Sequence, residues 1–264
     1  MGFNFFCHSC NRNKDSCTSF NANSAAYITT NEDLRSAMNF MPKKCNRALT
    51  VAASGDHPLF ASLFGAKYVD TFDITFNAKC IMDIKTTALN CMNRDEYTSL
   101  LQDLYDLSKE GCVLSGQKIA KKLPIPTEDI DFMNTKSGLC IVGTFDKYRL
   151  PMALEYKKLQ KIVKKPYKFF HTDIQSLGRK LTESYDFIHL SNIFEHMQVS
   201  QKQQSKIIIS LMEHVNVGGR ILFQHLIWKP WKRPPIPEKL CPTHGDTDWR
   251  FVQIDMISII ERLR

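Results

Sequence analysis

Two periods govern the distribution of apolar and polar positions along this chain. From about residue 47, short apolar runs bounded by polar clusters read as buried strands. Between them, apolar residues recur at three- and four-residue spacing, as on one face of a helix. The run "ALTVAA" supplies a first strand, Ala48–Ala53. The segment "PLFASLFG" reads as a short helix closed by Gly65, "AKYVDTFDIT" as a second strand ending at Asp73, and "FNAKCIMDIKTTALNCM" as a second helix. Strand, helix, strand, helix in that order implies a parallel sheet.

The alternation then stalls. About ninety residues separate Ile74 from the next strand, "YKFFHTDI" at Tyr167–Ile174, far more than a crossover needs. The intervening "RDEYTSLLQDLYDLS" and "LPMALEYKKLQKIVKK" have helical spacing and are separated by the Pro-containing "KKLPIPTEDI". They predict a helical insertion over one edge of the sheet, at residues 92–165, between strands two and three. Insertions of this size commonly shape a substrate site. Alternation resumes with "YDFIHLSN" (strand), "VSQKQQSKIIISLMEHV" (helix), "NVGG" (turn) and "RILFQHLI" (strand), giving five strands. After Ile227 a Pro-rich loop leads to "VQIDMISIIERLR", which reads as a helix.

Upstream, residues 1–30 show little periodicity, and "TTNEDLRSAMNFM" predicts a helix with Asn31 as N-cap and Glu32 and Asp33 in its first turn. The 264 residues read as one domain, with an N-terminal helical extension (1–46) and a C-terminal loop and helix (228–264). The expected architecture is α/β: a Rossmann-like, doubly wound, mainly parallel sheet.

A formal charge of +8 favours contact with an anionic partner such as nucleic acid, an acidic membrane surface or a phosphorylated substrate, although solubility explains it equally well. No apolar run approaches the ~20 residues that span a bilayer, and "MGFNFFCHSC" lacks a signal-peptide pattern, so a cytoplasmic location is expected. Nine cysteines without an export signal argue for reduced thiols. Cys7, His8, Cys10 and Cys17, with Cys241 and His244 far away, have the close spacing of a zinc knuckle. A paired second C-x-x-C is missing, so unligated thiols are expected and no metal is assigned. The lysines between Lys157 and Lys168, and Trp228 and Trp231 in "IWKPWKRPP", fit a membrane interface or a base-stacking surface. A solvated helix face and a packed loop are the plainer reading.

In an open parallel sheet, ligands bind beyond the carboxyl ends of the strands. The polar residues there are Ser54, Gly55 and Asp56 after Ala53, then Asp73 with Ile74, Asp173 with Ile174, and Ser191 with Asn192. Gly55 would let the backbone approach a ligand, and Asp56 would hold a ligand ammonium group. Asp73 is placed to accept both hydroxyls of a ribose, and Asp173 would accept from an adenine amino group beside Ile174. A helix cap at Asp56 and an Asx turn at Asp73 are the structural alternatives. A pyrophosphate cofactor wants several loop glycines, whereas "ASGDH" offers one glycine and a carboxylate that would repel phosphate. S-adenosylmethionine, which has no phosphate and carries a sulfonium and an ammonium, suits this loop better than NAD.

The strand order, Asp73, "HTDIQSL" and "YDFIHLSNIFEHM" resemble the class I S-adenosylmethionine-dependent methyltransferase fold. More narrowly, "LTVAASGDHPLFASLFGAKYVDTFDITFNAKCIMDIKTTAL", its Lys85 to Ala88 pattern and the upstream "TNEDLRSAM" are similar to the betaine-lipid synthase family. That family transfers the 3-amino-3-carboxypropyl group of S-adenosylmethionine to diacylglycerol. The likeness covers residues 27–91 and departs after the fourth strand, at "SNIFEHM". It implies S-adenosylmethionine as cofactor and an aminocarboxypropyl transfer to a small or lipid acceptor, at an anionic membrane surface if the acceptor is a lipid. Methyl transfer to a small molecule or, ranked behind it, to RNA is the alternative, and a non-catalytic nucleoside-binding protein is the third reading. If the acceptor must lose a proton, His57, Glu195 and His225 are the candidate bases, with His196 ranked last. The sequence does not specify an oligomeric state.

Overall fold

The computed structural model describes residues 26–109, 115–135, 139–142, 145–197, 199–224, 248–254 and 257–264. In chain order the first elements are β1 (Ala26–Tyr27), α1 (Leu34–Met38), β2 (Arg47–Val51), α2 (Asp56–Leu63), β3 (Tyr68–Asp73) and α3 (Phe76–Cys91). The insertion holds α4 (Arg94–Lys109), α5 (Gly116–Ala120), α6 (Thr127–Met133), β4 (Ile141–Val142) and α7 (Ala153–Ile162). The remainder comprises β5 (Lys168–His171), α8 (Ile174–Lys180), β6 (Tyr185–His189), α9 (Gln201–Met212), β7 (Val215–Gln224), β8 (Trp249–Ile254) and β9 (Ile257–Arg262).

Seven strands form one sheet in the order β5-β3-β2-β6-β7-β9-β8. The first five are parallel, and β9 alone runs the other way, antiparallel to both β7 and β8. From β2 the chain winds outward through β3 to β5, then returns to β6 on the other side of β2. The topological switch point therefore lies between β2 and β6. This is the Rossmann-like, mainly parallel α/β sheet that the sequence pattern implies, with the insertion between the second and third strands of the sheet in chain order.

Each central strand is buried on both faces. Ala48, Phe187 and Leu222 belong to one apolar cluster with residues of α1 to α4 and α7. Leu49, Ile188 and Ile221 belong to the other, with Ile174 and Leu177 of α8 and Ile207, Ile208 and Leu211 of α9. Neighbours in sequence thus enter opposite layers, as a period of two requires. Near-continuous apolar runs such as "FIHL" follow from that two-sided burial.

The C-terminal segment, expected to be a helix, is instead the β8–β9 hairpin. The spacing misleads because Ile259 and Ile260 are both apolar, which helical and doubly buried strand patterns share. In the structure Ile259 packs in the first cluster and Ile260 in the second, so β9 is a sheet strand covered on both sides. "NVGG" also proves to lie inside β7 rather than before it. Its extra residues form an irregularity between the Tyr185–Val215 and Phe187–Arg220 pairings, with Gly218 at φ +77°.

The insertion is anchored through charge as well as apolar packing. Lys79 of α3 pairs with Asp83 on its own helix at 2.7 Å and with Glu128 and Asp129 of α6 at 2.7 and 2.8 Å. Three carboxylates surround one ammonium, and Asp83 Oδ1 and Asp129 Oδ2 lack hydrogen-bond partners. Burial pushes the Asp83 carboxyl up to about 7 despite Lys79. A carboxyl raised in the folded state supports folding below its unfolded value and loses that contribution as pH rises through the folded one. The urea midpoint of the native protein is therefore expected to fall from pH 5 to pH 8 relative to that of Asp83→Asn, which cannot ionise. Parallel pH profiles for the two proteins would refute it.

Candidate functional site

A cavity of about 380 Å³ opens at the carboxyl ends of β2, β3, β5 and β6, the position at which an open α/β sheet binds ligands. Its apolar walls include Val51, Phe72, Ile74, Ala78 and Ile174. The segment from β1 to α1 closes another side through Tyr27, Thr30, Asn31 and Glu32. That segment is held by parallel pairing of β1 with β4 of the insertion and by two further bonds. The Asp146 N–H donates to Thr29 Oγ1 at 3.1 Å, and Arg149 Nη1 donates to the Glu32 carbonyl at 3.2 Å. The insertion thus supports one wall of the cavity without lining it.

Asp73 ends β3 and faces this space. Its Oδ2 accepts the Ala53 N–H at 3.0 Å and its Oδ1 the Thr75 N–H at 3.1 Å, so it ties the β2 turn to the start of α3. Each carboxylate oxygen accepts more than one hydrogen bond; the Asx-type turn and a role toward a ligand are therefore compatible. Loss of surrounding water raises the Asp73 pKa, and the backbone donors only partly offset that. Asp173 caps α8 through a 2.9 Å bond from Ser176 N–H and lines the cavity beside Ile174.

Gly55 and Asp56 play different parts from those the sequence suggests. Neither lines the cavity. Gly55 has φ +77°, and a Cβ there would lie 2.8 Å from Cα of Met82, so the glycine is needed where α2 crosses α3, not for a ligand. Asp56 is fully buried and its carboxylate is occupied. Oδ1 accepts from Lys85 Nζ at 2.6 Å, while Oδ2 accepts from Thr30 N–H and Ser54 Oγ, each at 2.9 Å. It is therefore withdrawn from any ligand ammonium.

A buried polar unit in the wall went unrecognised in the sequence. Glu32 is not in the first turn of α1; Asp33 is the N-cap, and Glu32 precedes it, 5% exposed. Its Oε1 accepts from Ser191 Oγ and its Oε2 lies 3.2 Å from His57 Nε2. Burial opposes ionisation of Glu32, but the His57 and Ser191 contacts hold its carboxyl below the usual range. His189 of β6 lies behind, its ring centroid 5.3 Å from that of His57 and its Nε2 3.1 Å from Gln224 Oε1. Burial pushes His189 down to about 4, so it is neutral near pH 7. Glu32 and Ser191 are 159 positions apart, and no local pattern announces the contact. A histidine within the apolar run of β6 was the one available signal.

Ala53 and Ser191 have φ of +45° and +57°. They follow the two strands that flank the switch point, and each non-glycine residue in this region costs about 1–3 kcal/mol. Of the residues singled out from sequence, Ala53, Ser54, His57, Asp73, Ile74, Asp173, Ile174, Ser191 and Asn192 line the cavity together. So does His196, which was ranked last among the bases. Glu195 is exposed and does not line it, because the 3-10 turn Ile193–Glu195 points that side chain outward; it is removed from the candidate bases. His225, Trp228, Trp231, Cys241, His244 and the Cys7, His8, Cys10 and Cys17 group lie outside the described residues. Among the described residues no group of side chains has the makings of a metal site. No helix among them is long and apolar enough to cross a membrane.

No protein-family model and no curated protein matches the chain. Among solved structures it is similar to the rRNA methyltransferase aviRa from Streptomyces viridochromogenes (TM-score 0.47, 11% identity), covering 98% of this chain and 96% of that one. Another is SMU.1697c, a putative methyltransferase from Streptococcus mutans in complex with SAH (TM-score 0.39, 12% identity, 89% and 99% covered). A third is TehB from Haemophilus influenzae, with TM-score 0.39 and 15% identity. The match covers 88% of this chain, which spans only 62% of the length of TehB. The order and direction of the seven strands, rather than these likenesses, define the fold.

Proposed function

We propose that the protein is an S-adenosylmethionine-dependent methyltransferase that holds its donor in the cavity at the ends of β2, β3, β5 and β6. The observation that carries this reading is the placement of Asp73. A carboxylate ending the second strand of the sheet faces an apolar cavity of about 380 Å³, with Asp173 and Ile174 on an adjoining wall. The residues fit the donor. Asp73 would take the ribose hydroxyls, Phe72 and Ile174 would flank the adenine, and Asp173 would accept from its amino group. With Asp56 committed to Lys85, and Glu32 to His57 and Ser191, the amino-acid end would lie beside Ser191 and Asn192.

The bound donor supplies an electrophilic carbon on a sulfonium. The protein's own contribution is to align an acceptor in line with that carbon and to keep water away. Methyl transfer is preferred because the whole sheet has the class I methyltransferase arrangement, an argument from fold analogy. Aminocarboxypropyl transfer is the second reading, favoured by the resemblance of residues 27–91 to betaine-lipid synthases.

Mass spectrometry of the nucleoside products separates these readings, after incubation with S-adenosylmethionine and a cell extract as acceptor source. S-adenosylhomocysteine above a no-protein control is the expected result. Methylthioadenosine would replace methyl transfer by aminocarboxypropyl transfer. Donor binding with neither product would make the chain a nucleoside-binding protein.

A further inference from the structure

The cavity wall contains a buried carboxylate–imidazole pair whose free end has no partner. Glu32, ionised through its contacts with His57 and Ser191, only accepts hydrogen bonds. In the tautomer that donates to this carboxylate, the His57 ring carries its single proton on Nε2, the nitrogen 3.2 Å from Glu32 Oε2. That leaves a lone pair on Nδ1, which is buried and has no hydrogen-bond partner. Buried acceptors without donors are uncommon and call for an explanation, and this one belongs to a residue lining the cavity. Its surroundings keep the tautomer in place. Glu32 is fixed from the opposite side by Ser191, a residue in strained backbone, and His189 behind is neutral and bonded to Gln224. A Glu–His arrangement of this kind orients a base for proton removal.

We infer that His57 Nδ1 is the general base of the transfer, that Glu32 is its positioning residue, and that the acceptor is a protic nucleophile bearing an O–H or N–H. The inference rests on the transferase reading above and narrows it. As the acceptor's lone pair bonds to the transferred carbon, the carbon–sulfur pair leaves with sulfur and the acceptor's proton passes to Nδ1. The resulting imidazolium is stabilised by the Glu32 carboxylate. An acceptor with no proton to lose, such as a thioether or tertiary amine, would leave this nitrogen without a task.

The tests need not wait for the acceptor's identity. Nitrogen-15 NMR of the histidine rings, assigned with His57→Gln, is expected to show His57 as the Nε2–H tautomer near neutral pH and to lose that preference in Glu32→Gln. Calorimetric titration with S-adenosylhomocysteine should give affinities within about twofold for the native protein and His57→Ala. The rate of label transfer from methyl-labelled S-adenosylmethionine into a cell extract should fall at least ~100-fold in His57→Ala, the scale of a lost general base. Added imidazole should restore part of it, which a purely structural role would not allow.

An Nδ1–H tautomer, or a His57→Ala rate within a few-fold of native, overturns the inference. So does a tenfold loss of S-adenosylhomocysteine affinity in His57→Ala, which would mean that the nitrogen holds the donor's ammonium instead. Failure of the native protein to bind S-adenosylhomocysteine would sink the donor reading itself, a result distinct from all of these. If His57→Ala fails to fold, His57→Gln replaces it in the rate and affinity measurements under the same criteria.

Discussion

Lys85→Met is expected to lower the unfolding free energy by about 3–5 kcal/mol, the cost of leaving one member of a buried ion pair without its partner. Lys85 and Asp56 are both fully buried, and their side chains meet at 2.6 Å. Burial lowers the Lys85 pKa while Asp56 opposes that shift. The methionine substitution keeps most of the side-chain volume, so the loss reports charge rather than a cavity. Asp56 would retain the Thr30 N–H and Ser54 hydroxyl donors, which moderates the penalty without removing it. Adding Asp56→Asn should recover much of the stability, since the double variant buries no unpaired charge. Urea denaturation of the three proteins measures this; a Lys85→Met value within about 1 kcal/mol of native would show that the pair does not matter. Because Asp56 also receives the Thr30 N–H, the same substitution should loosen the segment that closes the cavity.

That pair also marks where sequence reasoning stopped being sufficient. The strand ends were legible because two-sided burial produces unbroken apolar runs, and the polar residue that terminates each run is forced to the rim of the sheet. Asp73, Asp173, Ser191 and Asn192 emerged that way and do converge. Gly55 and Asp56 share a loop with them, but their roles depend on α3: Met82 sits against the glycine and Lys85 against the aspartate. No spacing rule in the loop reports a helix packed from some thirty positions away. Glu32 was harder still, since its meaning comes from His57 and Ser191 together. The hairpin of β8 and β9 was lost for the reason that made the other strands visible. A strand covered on both faces has no alternation, and next to "IDMISIIERLR" the helical period fits as well.

Asp73→Ala is expected to weaken S-adenosylhomocysteine binding at least ~100-fold. Hydrogen bonds to a charged group are worth about 1.5–3 kcal/mol each, and under the proposed donor reading the carboxylate would take two ribose hydroxyls. The structure adds a complication: Asp73 also accepts the Ala53 and Thr75 N–H groups. Ala53 is held at φ +45°, so alanine at 73 would both remove the proposed ribose contact and release the turn that shapes the pocket. Asp73→Asn separates the two effects. The amide keeps one acceptor oxygen, which can hold one of the two N–H groups, but it carries no charge for the hydroxyls. An intermediate loss of about tenfold in Asp73→Asn, with a melting temperature close to native, would locate the affinity in the carboxylate itself. Near-native affinity in Asp73→Asn and a large loss in Asp73→Ala would assign Asp73 to the turn alone. Native affinity in both would remove Asp73 from the donor site, and with it the observation on which the transferase reading stands.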